Sequence, residues 1–309
     1  MGINSSAPLG DFIRLWMDKY KAFEVKPSTF MRLEVSLSTL QHNAISNMPI
    51  EDITALNIEQ YLTELVNARY SFSTIKKQKE LITASLKAAY KLGYIASNRI
   101  ADVSLPKRYT VKRRTKLVQA YTNAEQARLR AVLATYKRPG YALTDLLFET
   151  GMRVGEALAL NWDSVMWDRR RIWVHATVVN PLSKGSAYVQ EGAKSVSSNR
   201  EILLSDKALR ILGMLNEQSM DEWIFAGRDG ERLTYEALVY QVKAACREAN
   251  VPYRGMHCFR HCFATNMYHR GLDIKKLSML LGHASTAITY DIYIHPNEDD
   301  DEGILNIMN

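Results

Sequence analysis

The chain has 309 residues, 47% of them apolar, and a formal net charge of +7 at neutral pH. The length exceeds what one compact core usually organises and predicts two domains; no apolar run approaches the ~18 residues of a membrane-spanning helix, and no basic-then-apolar leader marks the chain for secretion. Residues 1–117 carry 18 Lys/Arg against 10 Asp/Glu and the remainder 22 against 23, so a basic module that suits a polyanion precedes a near-neutral body.

Residues 1–10 read as an unstructured start. Over 11–23, Phe12, Leu15, Trp16 and Tyr20 fall close to helical spacing. Pro27-Ser28-Thr29 reads as a helix start, with Ser28 as its cap and Met31, Val35 and Leu37 following. Asn57-Ile58-Glu59-Gln60 opens another helix with Tyr61, Leu62, Leu65 and Val66 inward. Ser73-Thr74-Ile75 begins a fourth, which ends at Gly93. These four make a small helical domain over 11–105.

The stretch 106–116 holds six basic residues in eleven and shows no periodic apolar face. It reads as a linker, 106–118, either simply solvated or following a phosphate backbone. The second domain spans 119–296. Thr122 and Glu125 form a capping-box pattern, a helix over 145–150 stops at Gly151, and 155–160 is helical again. Residues 171–179 alternate as a strand does, and 188–191 and 200–204 are its candidate partners around Gly185 and Gly192. Helices fill most of the rest, up to the acidic run at 298–302 and a tail over 297–309. The expected fold class is therefore mainly α with a small antiparallel β-sheet (α+β).

Exchange of phosphodiester bonds without a metal requires a nucleophile, cations over the developing oxyanion charge and a proton donor for the leaving oxygen. Arginine suits the charge role, because its fork matches two phosphate oxygens and stays protonated. Arg153 lies between Gly151 and Gly155 at the junction of two helices, where a helix N-terminus and a guanidinium can face one anion. His257 and Arg260 are three apart and share a helix face. His283 follows a helix end at Gly282, and Tyr293 comes ten residues later. Each has a plain structural alternative: a turn arginine, a buried histidine, a packing tyrosine with a wet hydroxyl. The pairs His257/His261 and Cys258/Cys262 are spaced i, i+4, but lack the Glu of a His-Glu-x-x-His motif and a second cysteine pair, so no metal is expected. With Cys246 they are the only cysteines, which argues for a reducing compartment.

The order Arg … Lys … His-x-x-Arg … Gly-His … Tyr resembles the tyrosine recombinase, or phage integrase, family. Thr150-Gly-Met-Arg-Val-Gly-Glu-Ala-Leu-Ala-Leu-Asn-Trp162 is similar to that family's first arginine box. His257-x-x-Arg260-His261-x-x-Ala264-Thr265 is similar to its second box, and Leu280-Leu-Gly-His283 with Thr289 to His295 to its third. The helical first third resembles the family's core-binding domain more weakly, and Asn98-Arg99 departs from the Asn-Pro often found there.

The resemblance implies a C-shaped clamp on DNA and a recombinase that cleaves and rejoins through a 3′-phosphotyrosyl intermediate, with neither metal nor ATP as cofactor. It implies Arg153, Lys194, His257, Arg260, His283 and Tyr293 as the catalytic set. Lys184 competes with Lys194 but lacks the downstream Ser-x-Arg-x-Ile pattern. Tyr290 competes with Tyr293, which has the following Ile-His pair. Glu156 and His261 are expected to orient rather than react. DNA contacts fall to Lys76, Lys77 and Lys79 and to Lys112, Arg113 and Arg114 of the linker. The implied partners are double-stranded DNA at specific core sites, three further copies of the chain in a tetramer, and accessory DNA-bending or excision factors, with no membrane. The implied location is the bacterial cytoplasm, at the nucleoid. The tail over 303–309 is either frayed or docks on a neighbouring subunit. Integration and excision of a mobile element is the first expectation; a type IB topoisomerase-like relaxing enzyme, a chromosome-dimer resolvase or invertase, and a DNA-binding protein with relic residues are the alternatives.

Overall fold

The computed structural model describes residues 5–97, 103–105, 120–179, 187–191, 199–218, 221–227, 230–283 and 285–293, with backbone alone for Glu191, Gln218, Ile288 and 291–293. The described residues divide into two compact units, one within 5–105 and one within 120–293. The linker residues 106–118, with Lys112, Arg113 and Arg114, and the tail over 297–309 lie outside the described residues.

The first unit is helical. Helix α1 (Leu9–Trp16) buries Leu9, Phe12, Ile13 and Trp16, then passes through a π-helical turn (Met17–Lys21) into the short α2 (Ala22–Glu24). Residues 5–8, expected to be unstructured, are tied down: the Ile50 N–H donates to the Ala7 carbonyl at 3.0 Å and that of Glu51 to Ser5 at 3.2 Å. Helix α3 (Pro27–Gln41) starts on Pro27 at its first position, with Lys26 before it and no side-chain cap, so Ser28 is not the cap. Proline's fixed φ and missing N–H suit that position. Val35 is exposed, and α3 turns Leu37 and Leu40 inward instead.

Helix α4 (Ala55–Asn67) begins two residues before the expected start, because Thr54 caps the Asn57 N–H and Asn57 reciprocates on the Thr54 N–H. Helix α5 (Phe72–Lys91) is capped by Ser71 and closes on Gly93, whose φ of 78° is the left-handed value glycine tolerates. Gln78 ties three of these helices together. Its Oε1 accepts from the Tyr61 hydroxyl at 3.0 Å, and its Nε2 donates to the Ser36 carbonyl at 2.9 Å. A buried amide so satisfied avoids the desolvation cost that orphaned polar groups carry.

The second unit is built around α7 (Pro139–Thr150), which is buried along nearly its whole length. Helix α6 (Asn123–Leu133), with the Thr122–Glu125 capping box present, packs on one side of it. The short α8 (Val154–Leu158) follows, and then, among the described residues, five strands: β1 (Val165–Met166), β2 (Arg171–Val174), β3 (Ala176–Val179), β4 (Tyr188–Glu191) and β5 (Arg200–Leu203). The expected single strand over 171–179 breaks at His175. Its first half lies centrally in an antiparallel sheet β1-β2-β5, with Ile172 opposite Ile202; its second half pairs with β4, with Val178 opposite Val189. The second half packs against α8, where a Cβ on Gly155 would stand 2.7 Å from the Thr177 hydroxyl and 2.8 Å from the Val178 carbonyl. Helices α9 (Asp206–Gln218), α10 (Tyr235–Glu248) and α11 (His257–His269) complete the layer around α7. Helices α12 (Ile274–Leu281) and α13 (Thr286–Tyr293) pack on each other and on α11. No described helix is long and apolar enough to cross a membrane.

Candidate active site

The site is organised by the end of α12. That helix stops at Leu281, because Gly282 takes the left-handed conformation (φ 65°) as its C-cap. The last carbonyls of a helix have no partner within it and carry the negative end of its dipole. Here three successive carbonyls each accept a guanidinium. Arg200 Nε donates to Leu280 O at 2.8 Å, Arg260 Nη2 to Leu281 O at 2.7 Å, and Arg153 Nη2 to Gly282 O at 3.3 Å. Side chains from β5, α11 and the turn before α8 thus meet at one helical turn.

Each arginine is held on its other side as well. Arg260 is 1% exposed and donates through Nη1 to Gly151 O at 3.0 Å. Gly151 closes α7 at φ 62°, and a Cβ there would stand 2.3 Å from the Phe263 ring. Glu156 serves the other two. Its carboxylate accepts from Arg153 Nη1 at 2.9 Å and from Arg200 Nη1 and Nη2 at 3.1 and 2.9 Å. It also accepts from the Arg153 backbone N–H at 2.9 Å, so that N–H at the start of α8 is taken by a carboxylate of the chain itself. Burial by itself pushes the Glu156 carboxyl up. The hydrogen bonds and charge of Arg200, with Arg153, outweigh burial and hold it below the usual carboxylate range.

The histidines lie in the same field. His257 opens α11, and its ring meets the edge of His261 at a centroid distance of 4.9 Å. Burial, then Arg260 and Arg153, lowers the His257 pKa; burial, His257 and Arg260 push His261 down to about 4. His283 follows the α12 cap, with its N–H on Ser278 O at 3.0 Å and its Nδ1 2.8 Å from the Thr289 hydroxyl. Burial, then the charges of Arg260, Arg153, His257 and Arg200, push it down to about 4. The shifts of all three rings favour the neutral imidazole, beside three guanidinium groups. An arrangement of this kind offers fixed positive charge and neutral proton donors or acceptors to an anion, which is the requirement for stabilising a phosphoryl transition state.

The structure brings together Arg153, His257, Arg260 and His283 from the expected set. Tyr293 ends α13, with only its backbone described; Tyr290, its competitor, is 55% exposed. Lys194 and Lys184 lie outside the described residues. Lys76, Lys77 and Lys79 sit on α5 of the first unit. Two contributors were not anticipated. Arg200 figured only as part of the pattern supporting Lys194, and Thr289 only as a letter of the third box. Glu156 does orient Arg153, and it orients Arg200 too. Among the described residues no group of three or more His, Cys, Asp or Glu side chains is placed to hold a metal ion. Cys262 Sγ instead accepts from the Tyr121 N–H at 3.2 Å.

Residues 109–300 match the family described as "Phage integrase family". A "Tyrosine recombinase XerC-like" protein of Caldanaerobacter subterraneus subsp. tengcongensis is 25% identical over 93% of this chain and 79% of its own length. A prophage ps2 probable integrase of Lactococcus lactis is 26% identical over 99% of this chain and 84% of its own. Among solved structures, the integrase of transposon Tn1549 (residues 82–397 of that protein) in complex with a circular intermediate DNA superposes with a TM-score of 0.79 at 18% identity, covering 98% of this chain and 100% of that one. A lambda integrase tetramer bound to a Holliday junction gives 0.68 at 17% identity, covering 95% and 80%.

Proposed function

The chain belongs to the phage integrase family and is a tyrosine recombinase, a site-specific enzyme of DNA recombination, and from that premise we propose how its residues divide the chemistry. Tyr293 attacks the scissile phosphate in line, forming a 3′-phosphotyrosyl bond and releasing a 5′-hydroxyl. Arg153 and Arg260 bind the non-bridging oxygens, and each is worth ~10²–10³ in rate by the usual effect of a preorganised charge donor. Lys194 protonates the leaving 5′-oxygen, His257 takes the tyrosine proton, and His283 hydrogen-bonds the phosphate. The 5′-hydroxyl of a second strand then reverses the step, so the covalent bond conserves the phosphodiester energy.

One observation supports this reading most directly: Arg153 and Arg260, 107 residues apart in the chain, both end on the turn that carries His283. Non-specific grip on double-stranded DNA comes from Lys76, Lys77 and Lys79 and from Lys112, Arg113 and Arg114 of a linker at 106–118, through phosphate neutralisation. A core-binding domain over 11–105 and a catalytic domain over 119–296 each bind DNA at a core site, and four copies assemble for exchange. The tetramer is supported by the lambda integrase structure on a Holliday junction. Integration and excision of a mobile element are supported by likeness to the integrases of prophage ps2 and Tn1549. The tail over 303–309 docks on the neighbouring subunit, and its deletion leaves cleavage while abolishing strand exchange. The enzyme acts on DNA in the cytoplasm, with accessory bending or excision factors.

A duplex nicked near the cleavage site traps the covalent intermediate by losing the attacking 5′-end. Wild-type protein and Tyr290→Phe are expected to form the adduct and Tyr293→Phe to form none. Adduct from Tyr293→Phe, with loss in Tyr290→Phe, moves the nucleophile; no adduct from any of the three removes the covalent mechanism.

A further inference from the structure

The hydroxyl of Thr289 is fully buried, and among the described residues its one hydrogen-bond partner is His283 Nδ1, at 2.8 Å. A threonine inside a helix ordinarily donates to the carbonyl one turn back, as Thr144 and Thr150 do here. Thr289 points its hydroxyl at the imidazole instead. Only one proton lies between Oγ1 and Nδ1, and its side decides the tautomer of the ring.

If Nδ1–H donated to the hydroxyl, the hydroxyl's own proton would need a second acceptor. None is present among the described residues, and a buried unsatisfied donor costs about 1–3 kcal/mol. If the hydroxyl donates to Nδ1, both groups are satisfied and the ring's proton sits on Nε2. We propose that Thr289 is a positioning residue: its hydroxyl donates to His283 Nδ1, holding the imidazole as the Nε2–H tautomer, a neutral donor to a non-bridging phosphate oxygen. This rests on reading His283 as a phosphate-binding group. The low pKa of His283, set by burial and by Arg260, Arg153, His257 and Arg200, keeps the ring uncharged at physiological pH, where the tautomer matters. Thr289 also lies in α13, one helical turn before Tyr293. The same bond therefore ties the histidine's orientation to the seating of the helix that ends in the nucleophile.

Nuclear magnetic resonance of histidine-labelled wild-type protein without DNA reads the tautomer directly, the His283 signals being those missing from a His283→Gln variant. An unprotonated Nδ1 and a protonated Nε2 are expected. In Thr289→Val the ring should become a mixture of tautomers, and single-turnover adduct formation on the nicked duplex should slow about tenfold at unchanged DNA affinity. That is short of the ~10²–10³ of deleting a charge-stabilising donor. Thr289→Ser should restore both readouts. A wild-type ring protonated on Nδ1 overturns the proposal even if Thr289→Val fails to fold, and so does a folded Thr289→Val variant that cleaves at the wild-type rate. Wild-type protein that forms no adduct sinks the phosphate reading of His283 instead, whatever its tautomer.

Discussion

Glu156 and Arg200 form a buried pair whose removal should be felt in both stability and cleavage. Their side chains are 6% and 7% exposed, and two hydrogen bonds of 3.1 and 2.9 Å join them. Truncating one side chain takes from the other's buried charge the partner of two hydrogen bonds, which costs about 3–5 kcal/mol, whereas exchanging both for apolar groups of similar size is often close to neutral. We expect Glu156→Leu and Arg200→Met each to cost about 3–5 kcal/mol. In a unit of this size that lowers its melting temperature by roughly 6–20 °C. The double variant should cost less than either single one, since no buried charge then remains to miss its partner. Arg153, 40% exposed, can then turn to water. Thermal or urea unfolding followed by tryptophan fluorescence reports mainly on this unit, because Trp162, Trp167, Trp173 and Trp223 lie in it and only Trp16 lies in the other. Adduct formation should fall in Glu156→Leu and in the double variant, because Arg153 loses the carboxylate that orients it. Single-variant costs that simply add in the double variant, within ~0.5 kcal/mol, would mean the two side chains do not act as a pair and would refute the reasoning.

Gly151→Ala should destabilise the same unit by about 2–5 kcal/mol, from an alanine at positive φ and a methyl driven into the Phe263 ring; a loss under ~1 kcal/mol in the same melt contradicts the tight turn. Replacing Lys76, Lys77 and Lys79 together by alanine should weaken binding to any duplex and flatten the slope of log K against log salt by about 0.9 for each phosphate no longer neutralised, measured by fluorescence anisotropy at several salt concentrations; an unchanged slope removes α5 from the DNA interface. The histidine shifts also set a pH window. His261 and His283 hold pKa values of about 4 in the folded chain against 6.5 for the free group, and His257 is lowered as well. Between those values the unfolded chain binds more protons, so stability is present above pH ~6.5 and is lost as pH falls toward 4. Urea midpoints that stay flat across that interval would show these rings are not depressed.

Much of the site was legible because its residues sit in short, contiguous boxes whose local physics shows in the letters. Gly151 ends one helix and Gly282 another at positive φ, and the Thr122–Glu125 box is a purely local exchange of hydrogen bonds. Such features depend on a few neighbouring residues, so the chain order alone carries them. The breaks were less legible. Residues 171–179 alternate like one strand, and nothing local announces that β5 and β4 divide it at His175. Ser28 has cap chemistry, yet Pro27 at the first helical position starts α3 and leaves Ser28 inside.

The amino-acid order by itself determined the chemistry available to this protein: two arginines, the histidines and a late tyrosine in a fixed succession, with the excess of basic residues in the first third. Only the tertiary structure decided how the arginines and histidines are held. Arg200 and Thr289 look ordinary in the chain, because they act with partners 44 and 6 residues away, Glu156 and His283. A helix end supplies carbonyls to any donor that folding brings near, and which three guanidinium groups arrive is settled by packing around α7 and α11. Hydrogen-bond partners across such separations are a property of the assembled core, where burial makes each unpaired group costly and so selects a single arrangement.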